Sequence, residues 1–188
     1  MENNKKFFVD LFYDESLIRG YDLVFLLGVT HLIDTQIKSF NGLVCVVHES
    51  DLPKGRGFAP LQWQVLERKT QLKVSLIELA AEADTGDIIL QTDILFDGTE
   101  LYDELRDKQA IATYELMSAA IDKYPNLGKE PQKGSASFYP RRLPRDSELD
   151  PSQTLIDLFP KLQVANNEHW PAFFFFDGKK FILKIYKE

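Results

Sequence analysis

Apolar residues along this chain fall into short runs separated by polar stretches that contain glycine and proline. Segments 22–27 and 43–47 are apolar at nearly every position, the pattern of strands covered on both faces. Gly28 ends the first, and Asn41 with Gly42 turns the chain into the second. His31 to Phe40 between them predicts a short crossover helix, and a crossover of about a dozen residues joins parallel neighbours. Phe7 to Phe12 predicts an earlier short strand, and Leu72 to Leu79, with Val74 and Ile77, a later one. Ile88 to Leu90 opens the next. Pro60 suits the first turn of a helix through Trp63 to Leu66. Leu101, Leu105, Ala112, Leu116 and Ala120 recur at helical spacing. Thr99 is the expected cap of that helix, Glu100 and Asp103 lie in its first turn, and Pro125 stops it. Leu155 to Val164 predicts a short helix interrupted at Pro160. Ala172 to Phe176, then Asp177 and Gly178, then Lys179 to Tyr186 reads as a hairpin with a two-residue turn.

This order predicts an α/β fold with a mainly parallel sheet. Sites in such sheets collect at the carboxyl ends of the strands. Residues 126–154 are rich in Pro, Gly, Ser, Lys and Arg and mark a boundary. The expected organisation is a core over 1–135 and a small β-rich C-terminal subdomain over 136–188.

Composition narrows the classes. The 188 residues carry a net charge of −7, which argues against a nonspecific nucleic-acid binder. One cysteine, Cys45, forms no internal disulfide and suits a reducing cytoplasm. His31, His48 and His169 match no zinc spacing, so no metal is expected. The start, Met1 to Lys6, lacks the apolar stretch of a signal peptide. No apolar run approaches the roughly 20 residues of a membrane span.

The most informative segment runs from His48 to Trp63. A histidine leaves the end of an apolar strand and enters a loop containing Pro53, Gly55 and Gly57, and a helix opens at Pro60. Asp84 follows His48 by 36 positions, in a second loop between two apolar segments. A histidine moves protons near neutral pH, and a nearby carboxylate orients its ring. Such a pair can activate an amine and stabilise the charge that develops in acyl transfer. Read alone, His48 equally suits a hydrogen-bonded strand end, and Asp84 a turn. Asp84, Thr85 and Gly86 also spell the triplet of the aspartic proteases, but that mechanism needs two such carboxylates and the chain has one copy.

The pattern H-x-S-x-L-P-x-x-x-G-x-x-P over His48 to Pro60, followed by D-T-G-D over Asp84 to Asp87, resembles the formyltetrahydrofolate-dependent formyltransferases. These include methionyl-tRNA and sugar-nucleotide N-formyltransferases. Asp22 to Ile33, Tyr139 to Asp146 and Trp170 to Phe173 are similar to segments of the sugar N-formyltransferases, so the likeness spans roughly residues 20–188. The phrase from His48 to Gly57 is most similar to enzymes that formylate a UDP-linked 4-amino-4,6-dideoxy sugar, as in the pseudaminic-acid pathway. A tRNA substrate fits less well, because this chain is acidic and short.

The resemblance implies a Rossmann-like formyltransferase core and 10-formyltetrahydrofolate as co-substrate. It implies His48 and Asp84 as catalytic residues and main-chain groups of Gly28, Val29, Thr30, Asp84 and Gly86 against the folate. Lys54, Arg56, Gly57, Trp63, Arg141 and Arg142 are the candidates for the nucleotide sugar, since a guanidinium fork suits phosphate oxygens. In the same residues, solvated charge and a core aromatic are the plain alternatives. The family pattern reads Asn-x-His, and here Val46 takes the asparagine position, where it donates no hydrogen bond. Ser50, in the same loop, is the candidate substitute, alongside a backbone amide. A further departure is the short N-terminus, which lacks about one βα unit of the family. The Phe173 to Phe176 cluster is expected in a subdomain core or a homodimer interface. A folate or nucleotide binder without turnover is the alternative reading.

Overall fold

The structure is a computed structural model that describes residues 7–188. The polar opening, Met1 to Lys6, lies outside the described residues. A four-stranded sheet forms the centre. Its strands are β1 (Leu23–Leu26), β2 (Leu43–His48), β4 (Gln71–Glu78) and β5 (Ile88–Leu95), in the order β1-β2-β4-β5. The expected parallel pair is present: Leu23 to Leu26 align with Leu43 to Val46. The other two pairings, β2 with β4 and β4 with β5, are antiparallel. The α/β class holds, but the described sheet is mixed, its parallel part confined to β1 and β2. For β4 and β5 the reason is connection length. Between β4 and β5 lie only residues 79–87, too few to cross over.

Strand β2 explains its unbroken apolar run. Val44 and Val46 face a cluster with Val24, Leu26, Ile37 and Leu79. Cys45 and Val47 face the larger cluster built on Leu61, Val65, Val74, Leu76, Leu105 and Leu116. Both faces of the strand are therefore covered. On the first face lies the one-turn helix α1 (Ile37–Phe40). On the second lie α2 (Pro60–Leu66) and α3 (Tyr102–Lys123).

Three expectations change at element ends. Phe7 to Phe12 forms no strand; its backbone finds no ladder partner, and Phe8 is 95% exposed. Helix α3 is entered at Leu101, not Thr99: the Glu104 carboxylate accepts the Leu101 N–H at 2.8 Å, while the Thr99 hydroxyl donates to Asp97. Glu100 lies buried just before the helix and accepts the N–H groups of Asp97 and Gly98. Helix α4 (Leu155–Gln163) runs through Pro160 without a break. Proline leaves the carbonyl four residues back without its helical donor. Arg68 reaches that carbonyl, Ile156 O, at 3.1 Å and replaces the missing N–H.

Two short elements complete the chain. Strand β3 (Arg56–Gly57) pairs in parallel with β6 (Phe138–Tyr139). Strands β7 (Ala172–Phe176) and β8 (Lys179–Leu183) form the expected hairpin, with Asp177 and Gly178 both at positive φ, as a type I′ turn requires. Leu149, Leu158, Leu162, Ala165 and Ala172 make its own buried cluster. Ala172 and Phe173 are inside, whereas Phe175 and Phe176 are 47% and 67% exposed.

Candidate functional site

The parallel order of β1 and β2 brings their carboxyl ends side by side, with Leu26 opposite Val46. His48 ends β2, and the loop from Gly28 to Thr30 leaves β1. His48 is 6% exposed. Its Nε2 lies 2.8 Å from the Gly55 carbonyl oxygen, and its Nδ1 lies 3.4 Å from an Asp84 carboxylate oxygen. Both ring nitrogens thus face oxygen atoms, Nε2 at hydrogen-bond distance and Nδ1 at the longer one.

Asp84 comes from the loop between β4 and β5, with φ at +58°. Its other carboxylate oxygen accepts the Gly57 N–H at 2.8 Å. The two segments that the spacing singled out, 48–57 and 84–86, therefore meet through a histidine, a carboxylate and a backbone amide. Two glycines make this approach possible. A Cβ on Gly86 would stand 1.7 Å from the Glu78 carbonyl oxygen, and one on Gly57 would stand 2.4 Å from that of Tyr139.

The other expected residues divide. Gly28, Val29 and Thr30 are exposed, which leaves their main chain open beside the end of β2. Lys54 is exposed and lines a cleft of about 640 Å³ with Gly55, Lys69, Ser137 and Tyr139. In that cleft burial and the Glu67 carboxylate push the Tyr139 phenol up. Arg56 donates to Gln132 at 2.6 Å. Arg141 is exposed over the Phe58 ring, 5.4 Å from its centroid. Another recess, of about 410 Å³ between α2, α3 and α4, contains none of the expected site residues.

Three side chains are placed away from the roles expected of them. Ser50 is 1% exposed and its hydroxyl is enclosed without a partner, so it presents no donor to an approaching ligand. Arg142 turns to α4, where its Nη1 donates to Val164 O at 3.5 Å and burial pulls its guanidinium below the usual range. Trp63 donates from Nε1 to Pro140 O at 2.8 Å and stacks on Tyr139, bracing α2 against β6. Val46 is half-buried against the first apolar cluster and supplies no donor. Cys45 is no alternative nucleophile: burial pushes its thiol up to about 12, where almost no thiolate forms. Among the described residues no cluster of His, Cys, Asp and Glu could hold a metal, and no helix is long and apolar enough to cross a membrane.

Sequence reasoning missed Gln132. Its side chain bonds both loops of the site, yet a lone glutamine between Pro131 and Lys133 carries no local signal.

No protein-family model matches the chain. By sequence it is similar to a methionyl-tRNA formyltransferase of Geotalea uraniireducens, 28% identical over 175 residues, which cover 88% of this chain and 53% of that protein. Another, from Thermus thermophilus, is 32% identical over 134 residues, 69% of this chain and 42% of that protein. The chain thus spans about half the length of the curated relatives it matches. Among solved structures, a methionyl-tRNA formyltransferase from Clostridium thermocellum superposes with a TM-score of 0.71 at 26% identity, covering 86% of this chain and 70% of that one. A 4-N formyltransferase from Francisella tularensis gives 0.72 at 19%, covering 89% and 71%. HypX from Aquifex aeolicus in complex with tetrahydrofolic acid gives 0.72 at 15%, covering 87% and 29%. The last two, at such identity, speak for the fold alone. The fold of this chain is the formyltransferase fold, and the enzymes it matches in sequence are formyltransferases.

Proposed function

We propose that this protein moves a formyl group from 10-formyltetrahydrofolate to the amine of a nucleotide-linked sugar, specifically a UDP-linked 4-amino-4,6-dideoxy sugar. The observation that carries the reading is the buried His48–Asp84 pair at the carboxyl end of β2, within a formyltransferase fold. In this reaction the neutral amine attacks the formyl carbon. The bond from that carbon to N10 of the folate then breaks, and the amine's proton ends on N10. His48 stabilises the oxyanion of the tetrahedral intermediate and helps carry the proton. Asp84 orients the ring. The Gly55 carbonyl holds Nε2, so that bond yields wherever the oxyanion is met by Nε2. The folate lies against Gly28, Val29 and Thr30 and the 84–86 loop, and no metal takes part. Lys54, Arg56, Gly57 and Arg141 meet the nucleotide sugar.

We further propose a catalytic core over 1–135 with a subdomain over 136–188, a cytoplasmic location and a homodimer. The dimer reading is supported by the hairpin, where Phe175, Phe176, Phe181 and Ile182 are exposed. The methionyl-tRNA relatives make aminoacyl-tRNA the competing acceptor. The net charge of −7 favours the sugar, because tRNA binding draws on a basic surface. Val46 favours one further reading, a folate-binding protein without turnover, since loss of an oxyanion donor costs about a hundredfold or more in rate.

The test is incubation with 10-formyltetrahydrofolate and a panel of UDP- and dTDP-linked amino sugars, with methionyl-tRNA alongside. Mass spectrometry detects the gain of one formyl group. A formylated UDP-sugar that disappears in His48→Ala and Asp84→Ala supports the proposal. Formyl-methionyl-tRNA as sole product overturns the sugar acceptor, and folate binding without any product supports the non-catalytic reading.

A further inference from the structure

We infer that Gln132 is the positioning residue of the His48–Asp84 pair. For its kinetic consequence the inference rests on the formyl-transfer reading; for its geometry it does not.

The amide of Gln132 is used at both ends. Nε2 donates to the Asp84 and Gly86 carbonyl oxygens, each at 2.8 Å. Oε1 accepts from Arg56 at 2.6 Å. A side-chain amide carries two donor hydrogens and one acceptor oxygen in a fixed plane, and all of these are engaged. The flipped amide would set oxygen against two carbonyls and nitrogen against a guanidinium, so one orientation alone satisfies the partners. A carboxylate at this position has no donor for the carbonyls. The backbone delivers the side chain to this place. Glu130 exchanges two hydrogen bonds with Ile88 at the start of β5, and Gln132 follows two residues on.

The clamped segment needs support. Asp84 holds a left-handed backbone conformation, which aspartate tolerates better than most residues but which local hydrogen bonds still help to fix. Among the described residues no other side chain donates to the Asp84 or Gly86 carbonyls. Gln132 also joins this loop to β3 through Arg56, whose Nε is enclosed without a partner. The loop and β3 are thus tied twice, by the Asp84 carboxylate on the Gly57 N–H and by the Gln132 amide. Remove the amide, and the loop hangs on the carboxylate that must also address His48. Gln132 touches neither ring nor carboxylate; it acts through the placement of Asp84.

The experiment compares Gln132→Met, which keeps the bulk and loses the hydrogen bonds, with Gln132→Glu, which keeps the shape and loses the donors. Two readouts are taken: formyl-transfer kinetics, and the ring-nitrogen NMR resonances of His48. The expected result is a kcat lower by roughly tenfold to a hundredfold, the scale of a misplaced catalytic group. The His48 Nδ1 resonance moves in the direction it takes in Asp84→Asn. Added to Asp84→Asn, Gln132→Met lowers kcat no further, because both act at one point. Wild-type kcat and an unmoved His48 resonance, with only a lower thermal midpoint, overturn the inference and leave Gln132 a structural clamp. Multiplying losses in the double variant overturn it too. If the wild-type protein transfers no formyl group to any acceptor, the resonance decides: movement sustains the positioning role while the formyl reading falls, and no movement removes the inference. Should Gln132→Met not fold, Gln132→Asn, which keeps an amide but shortens its reach, is read by the same criteria.

Discussion

Replacing Asp84 by asparagine or by alanine removes the same charge and leaves different things behind. Asp84 has φ at +58°, a conformation that asparagine adopts readily and alanine adopts at a cost of about 1 kcal/mol. Its carboxylate also accepts the Gly57 N–H at 2.8 Å. Asparagine keeps an acceptor there. Alanine leaves the donor unpaired, and with the Asp84 side chain only 14% exposed little water replaces it, at about 1–3 kcal/mol. Together these place Asp84→Ala about 3 kcal/mol below Asp84→Asn. Loss of the pairing with His48 is common to both and cancels in the comparison. Urea unfolding followed by tryptophan fluorescence measures the difference, since Trp63 of α2 stacks on Tyr139, the β6 residue that pairs with Gly57. In the proposed formyl transfer the two variants are expected to behave alike, each losing about 10² to 10⁴ in rate, the range for a removed acid–base partner. Equal stabilities for the two variants refute the anchoring role. A wild-type rate in Asp84→Asn refutes the need for the charge.

Val46→Asn places a donor two residues before His48, where the formyltransferases that the sequence resembles carry asparagine. We expect the transfer rate to rise by up to about a hundredfold while stability falls by about 2 kcal/mol as an amide enters an apolar cluster; an unchanged rate means another donor already serves. Glu78 accepts from Lys129 and Lys38, each at 2.7 Å. Burial alone would raise its pKa, but the two ammonium groups outweigh that and hold it below the usual 4.5. A lowered folded value gives stability that is present above pH 4.5 and lost as pH falls through the folded value; Glu78→Gln therefore flattens the acid limb of a stability–pH curve. Arg68→Met removes the donor that Pro160 lacks in α4. A loss of about 0.5–1 kcal/mol is expected, with faster amide exchange confined to 155–163; unchanged exchange there means the exposed contact contributes nothing.

Much of this protein was legible in one dimension, because the signals were local. The unbroken apolar run of β2 announced a strand covered on both faces, and the hairpin turn at Asp177 and Gly178 announced its own geometry. Pro60 marked the start of α2. The spacing from His48 to Asp84 singled out two side chains that the fold brings together. Elsewhere the local signal pointed the wrong way, since a distant partner outweighed it. Pro160 reads as a helix break until Arg68, far off in sequence, supplies the missing donor. Ser50 reads as an accessible hydroxyl until folding encloses it, and Arg142 as a phosphate grip until it turns to Val164.

Strand direction and the clamp at Gln132 were decided by the tertiary structure alone. Apolar runs specify that strands are buried but not which way they run; packing sets that for β2 and β4, whose connection over 49–70 is long enough for either direction. Gln132 has no pattern to be recognised by, because its partners are two carbonyls and a guanidinium that come together only when β3 and the 84–86 loop meet. The sequence by itself determined which residues could do chemistry and which segments had to be covered. The tertiary structure decided which of those residues meet, because hydrogen bonds between distant segments form only where the packing of the sheet and helices brings their donors and acceptors within reach.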